Sequence, residues 1–171
     1  MGILHNWYRP EELDRETFRR AKDDFKKILP ELEKKADLVG IEGRPKPIAE
    51  DYGVMFSVGK LPWFILTCVY PHRHRMRPGA TMHSDSVKTY GNPGYDLAVM
   101  SCLLVFKHHF GDALKVGSDL DIEKWQPAID LIDKELGWKS IWRFDEKEAD
   151  GITDKSLIET KITSCEVTKN A

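Results

Sequence analysis

Cysteine is scarce in this chain, and its arrangement excludes a covalent framework. Cys68, Cys102 and Cys165 are odd in number and far apart, and no Cys-x-x-Cys pair exists, which removes zinc-ribbon chemistry. Cys68 and Cys102 each sit within an apolar run, the setting of a buried thiol. Such usage points to a reducing, cytoplasmic compartment. Long hydrophobic runs are also lacking. The longest, around Trp63–Tyr70 and Leu97–Phe106, are too short to span a bilayer, so no membrane partner is expected. Met1–Trp7 leads directly into Arg9, Glu11 and Glu12 with no apolar run, so no secretory leader is expected. Asn6 stands where N-myristoylation asks for Ser or Thr. Excess charge is absent too: the formal net charge is −2, so any attraction to nucleic acid or anionic lipid must come from a local patch. There is no Gly-x-x-x-x-Gly-Lys-Ser/Thr loop, no Gly-x-Ser-x-Gly elbow and no His-Glu-x-x-His pair.

What is present describes one globular domain over residues 1–171. A chain of this size buries roughly 70% of its unfolded surface, enough to fold without metal or disulfide. At 41% hydrophobic and 32% charged residues, it falls outside the compositions that remain disordered.

Residues Pro10 to Ala36 read as helix from the spacing of Leu13, Phe18, Ala21, Phe25 and Ile28, with Pro30 expected to kink or restart it. Gly43–Pro47 is a loop. Val54–Val58 and Trp63–Tyr70 read as a hairpin, and the nearly all-apolar second strand is expected to lie centrally in its sheet. Residues 71–94 read as a long irregular loop. From Asp96, taken as the N-cap, to His109 runs a helix apolar on every side, hence buried at the centre of the fold, with Gly111 as its stop. A strand at Ala113–Gly117, a turn at Asp119–Glu123 and a helix from near Pro127 to Gly137 follow. Ser140–Phe144 is a strand. Residues 145–171 hold an acidic loop at Glu146–Lys155 and an edge strand at Leu157–Val167. The expected fold is α+β: a mostly antiparallel sheet of about four to six strands packed against helices.

The densest chemistry lies in His72–Arg73–His74–Arg75–Met76–Arg77, followed by Pro78, Gly79, His83, Ser84, Asp85 and Lys88. In an extended segment side chains two apart point the same way, so His72 and His74 share one face and Arg73, Arg75 and Arg77 the other. Arginine forks match phosphate or carboxylate, and Gly79 permits close backbone approach. This pattern predicts recognition of a nucleotide or nucleic-acid phosphate through Arg73, Arg75, Arg77 and Lys88. As an alternative, His72, His74 or His83 serves as general base of a small hydrolase or phosphoesterase. His72, His74, His83 and Asp85 are also acceptable ligand types for a divalent metal, although the adjacent arginines repel a cation. A third reading is a protein–protein interaction module with no small ligand. No particular cofactor follows from any of them.

Two further clusters read as structural. Ser118–Asp119–Leu120–Asp121–Ile122–Glu123 begins like a calcium loop, but Lys124 and Asp130 occupy positions where that loop needs Gly and Glu, which leaves a helix-capping role for Asp121. His108 and His109 do not face one another on a helix, and they suit its C-terminal carbonyls. The segment Lys107–Asp112, with Val116, Ser118–Asp119, Trp125 and Leu136–Gly137, resembles small uncharacterised phage-encoded proteins. The resemblance covers a minority of the chain and implies an accessory role, with no activity or site attached.

Overall fold

The computed structural model describes residues 3–71, 82–139, 142–146 and 158–162. Its first strand, β1 (Leu4–Arg9), buries His5, Trp7 and Arg9 and leaves Leu4, Asn6 and Tyr8 half-buried. A period-2 pattern with two polar residues on the inward face does not read as a strand in sequence. α1 (Arg15–Glu33) follows, with Asp14 accepting the Thr17 N–H at 3.0 Å as its cap. Phe18, Ala21, Phe25, Ile28 and Leu32 recur at three-and-four spacing and form its buried face. Pro30 lies inside α1 and does not restart it. It sits on the exposed side about one turn from the end, and the carbonyl it deprives belongs to exposed Lys26, where solvent can serve it.

β2 (Leu38–Val39), β3 (Ile48–Glu50), β4 (Gly53–Val58) and β5 (Phe64–Thr67) form an antiparallel four-stranded sheet. The β4–β5 hairpin falls where expected, but the central strand is β4. β3 and β5 both pair its first half, and β2 pairs Ser57 and Val58. The chain just beyond β5 is covered by residues ahead of α1: Leu13 N–H donates to the Cys68 carbonyl at 2.9 Å and Tyr70 N–H to the Glu11 carbonyl at 2.7 Å. The apolarity of Trp63–Tyr70 therefore reflects covering by a neighbouring segment as well as by strands.

The stretch expected to be irregular contains a strand, β6 (His83–Lys88), and residues 72–81 lie outside the described residues. β6 runs antiparallel to β1, with His83 opposite Arg9 and Lys88 opposite Leu4. On the other side of β1 pairs β7 (Lys115–Ser118), giving the order β6-β1-β7. Between them in sequence runs α2 (Pro93–Phe110), buried at every position from Tyr95 to Lys107. Its cap is Asn92, which accepts the Tyr95 N–H at 3.0 Å. Asp96, expected to be the cap, lies in the first turn and is used elsewhere. Gly111 stops the helix, and the buried Lys107 ammonium donates to the Gly111 and Leu114 carbonyls at 2.9 and 2.8 Å.

α3 (Ile122–Leu136) starts ahead of Pro127, which sits on its exposed face. Gly137, at φ 66°, ends it in the left-handed region. β8 (Trp142–Glu146) and β9 (Ile158–Ile162) form a last antiparallel ladder close to β7. Every described pairing is antiparallel, and the fold is α+β with α2 packed against both α1 and α3. A chain of aromatic contacts joins the parts. Trp7 of β1 meets Phe64 at 5.1 Å, Phe64 meets Phe56 at 4.9 Å, and Phe56 meets Phe25 of α1 at 5.9 Å and Tyr95 of α2 at 6.1 Å. No helix among the described residues is long and apolar enough to cross a membrane.

Candidate functional site

β1 carries a polar cluster at each end. At its last residue, Arg9 is 1% exposed, and its guanidinium donates to main-chain carbonyls. Nε donates to Pro10 at 3.1 Å, Nη2 to Glu11 at 3.2 Å and to Cys68 at 3.0 Å, and Nη1 to Thr67. Burial pushes this group down to about 10, with the nearby charge of Asp85 pulling the other way. The guanidinium carbon lies 5.6 Å from the Tyr70 ring centroid. The Tyr70 ring stacks on His83, centroids 4.4 Å apart and planes within 10°, and its hydroxyl donates to the Ser84 carbonyl at 3.1 Å. Burial, and then the Asp85 charge, raises the Tyr70 phenol above its ordinary value.

His83 is 5% exposed, and its Nε2 is buried without a hydrogen-bond partner among the described residues. An unserved buried nitrogen costs about 1–3 kcal/mol, so it marks a position where a partner would be favoured. Tyr70 and His83 stand at the two roots of the basic segment. His72, Arg73, His74, Arg75 and Arg77 themselves lie outside the described residues. Lys88 does not join His83. It is five residues further along β6, about 17 Å at ordinary strand rise, on the opposite, exposed face. Asp85 lies two residues from His83 with Oδ1 accepting the Ser86 N–H at 2.8 Å. Among the described residues no group of three or more His, Cys, Asp or Glu is placed to hold a metal ion.

At the other end of β1, His5 Nε2 lies 2.9 Å from Asp96 Oδ1, and Ser118 Oγ lies 2.9 Å from His5 Nδ1. The Leu120 N–H donates to Ser118 Oγ at 3.0 Å, and the Thr89 hydroxyl donates to Asp96 Oδ1. The carboxylate only accepts, so Nε2 carries a proton and a neutral imidazole takes the Ser118 proton at Nδ1. These are the residue types of a hydrolytic triad, but His5 and Ser118 are 0% exposed. A nucleophile needs access to substrate. The chain Thr89–Asp96–His5–Ser118 ties β1, β7 and α2 together, which is a structural role.

A third pair joins α1 to α2: His109 Nε2 lies 2.7 Å from Asp24 Oδ2, while Lys27 donates to Asp24 Oδ1 at 3.1 Å. His108 packs on Trp138 at 3.8 Å. In the Ser118–Glu123 run, Asp119 accepts the Leu4 N–H at 3.0 Å, and Asp121 stands at the N-cap of α3 without a side-chain hydrogen bond. Cys68 and Cys102 are buried thiols, as expected, and burial raises both above their ordinary value.

His5, Arg9, Tyr70 and Asp96 are absent from the residues singled out for chemistry by sequence. Their signal is tertiary, since each partner lies on a different element. No family model, curated protein or solved structure matches this chain.

Proposed function

We propose that this protein is a non-enzymatic accessory module that binds a phosphate-bearing ligand or partner at the connection between β5 and β6. The single observation that supports it is His83: a buried imidazole with an unserved Nε2 at the root of a segment carrying Arg73, Arg75 and Arg77. Three arginines and two histidines in succession supply the forked donors that phosphate oxygens take. Arg9 adds little, because four of its five donors are spent on carbonyls, and Lys88 stands too far along β6 to contribute. With a net charge of −2, attraction is local, so binding should depend steeply on salt.

A fluorescent single-stranded oligonucleotide, followed by anisotropy with ATP as competitor, tests this reading. The expected result is saturable binding whose log–log salt slope loses about 1.4 on Arg73→Ala with Arg75→Ala, two phosphate contacts removed from a single strand. His83→Phe keeps the stack on Tyr70 and removes the nitrogen, so affinity should fall while the melting temperature holds. Binding indifferent to salt and to the arginine pair would sink the proposal. The hydrolase alternative draws on the same histidines, and turnover of a phosphate ester abolished by His83→Phe would favour it over simple binding.

A further inference from the structure

A groove of about 480 Å³ lies beside the first turns of α2, at the opposite end of β1 from His83. From Ile3 to Arg9 is about 20 Å at ordinary strand rise, so it is separate from the β5–β6 connection. Its volume falls within the range of small-molecule sites. Four segments build it: the start of β1, the end of α1, the first two turns of α2 and the first two turns of α3. Ile3, Leu97, Met100, Leu120 and Pro127 give it an apolar lining. α1 approaches α2 closely here: a Cβ on Gly94 would lie 2.6 Å from both the Lys35 carbonyl and the Ala36 Cβ.

Two cations, Lys35 and Lys124, line the groove, and both residues are exposed. Neither ammonium has an ion-pair partner among the described residues. Lys22, Lys27, Lys34 and Lys46 are paired with carboxylates, while other exposed lysines, Lys26 and Lys60 among them, share the unpaired state among the described residues. Lys34 in particular takes Glu31 at 2.7 Å, which leaves its neighbour Lys35 unpaired. The one acid of the groove is Asp96, 6% exposed, with Oδ1 turned to His5 and Thr89. A negative head is therefore unwelcome on the inner wall and favoured at the lysines. We infer that the groove binds a small amphiphile, its apolar body on the Leu97–Met100–Leu120 surface and a single carboxylate or phosphate head between Lys35 and Lys124. No chemistry on the ligand is implied.

Decanoate, titrated below its critical micelle concentration and followed by amide chemical shifts, is the probe, with decanol as its uncharged counterpart and decyl phosphate as the alternative head. Saturable shifts at Ile3, Leu97 and Leu120 are expected. Lys35→Glu with Lys124→Glu should weaken decanoate roughly tenfold and leave decanol nearly unchanged. Both lysines are exposed, so the double variant should fold. Leu120→Trp, which fills the groove, should weaken decanoate and decanol alike. The ratio of decanoate to decyl phosphate affinity says which head is preferred. Arg73→Ala with Arg75→Ala should leave all of these values unchanged, which separates this site from the β5–β6 connection. Absence of saturation, shifts that map away from α2, or decanoate affinity insensitive to both lysines would overturn the inference.

Discussion

The imidazole of His5 and the carboxylate of Asp96, 91 positions apart in the chain, meet at 2.9 Å in the interior. His5 is the second residue of β1, and Asp96 is in the first turn of α2. The pair ties the first turn of α2 to β1. Asp96→Ala removes the charged acceptor of two hydrogen bonds, leaves the His5 and Thr89 donors buried and unserved, and should cost about 3–6 kcal/mol. Ser118→Ala removes two neutral hydrogen bonds, one to His5 Nδ1 and one from the Leu120 N–H, and should cost about 1–3 kcal/mol. Urea unfolding of both variants measures this, with the slope m unchanged. An Asp96→Ala loss no larger than that of Ser118→Ala would contradict the pinning role.

Arg9 closes the other end of the same strand by holding four carbonyls on two segments. Arg9→Met keeps the stem and removes every donor. The amides of Leu13 and Tyr70, which join residues 11–13 to the chain just beyond β5, should then exchange with solvent hydrogen faster than those of β4. Uniform acceleration across the sheet would instead mean global destabilisation.

Tyr95 sits wholly buried against Phe56, its hydroxyl donating to the Pro62 carbonyl. Burial pushes its phenol up to about 12. A group whose folded pKa lies above its unfolded value contributes stability that is fully present below about 10 and lost as pH rises through about 12. Arg9 runs oppositely over a similar range, because its folded value is lowered to about 10. Comparison with Tyr95→Phe isolates the tyrosine. The stability advantage of the native chain over the variant should shrink by about 2–3 kcal/mol between pH 9 and pH 12. Phenolate absorbance should show one tyrosine titrating last, and that step should vanish in Tyr95→Phe. A pH-independent difference would refute the assignment.

Gly94 lies in the first turn of α2, where alanine is ordinarily preferred by about 1 kcal/mol. Here the added Cβ would stand 2.6 Å from the Lys35 carbonyl and from the Ala36 Cβ. Gly94→Ala should therefore destabilise the protein by about 1–3 kcal/mol, read as a lower urea midpoint. A stabilised variant would show that the end of α1 yields freely.

Much of the architecture is legible in sequence because local patterns there coincide with burial. The three-and-four spacing of Phe18, Ala21, Phe25 and Ile28 is the buried face of α1, and the unbroken apolar run Leu97–Phe106 is the buried body of α2. Prolines mislead where their cost falls on solvent: Pro30 and Pro127 sit on exposed faces and leave their helices intact. β1 escapes notice because His5 and Arg9 occupy inward positions, so the alternation that marks a strand is inverted. β6 escapes for a related reason. His83, Ser84, Asp85, Ser86 and Lys88 are polar, yet backbone pairing with β1 orders them.

The sequence by itself determined the α+β class, the central buried helix, the β4–β5 hairpin and the concentration of arginine and histidine ahead of β6. These follow from spacing and composition, which act over a few neighbouring residues. Only the tertiary structure decided that His83 is buried on Tyr70 with an unserved nitrogen, that Lys88 stands apart from it, and that His5, Asp96 and Ser118 form one interior chain. Those outcomes depend on which polar atoms lose water together. That is set by strand register and helix packing between segments distant in sequence, and no local pattern records it.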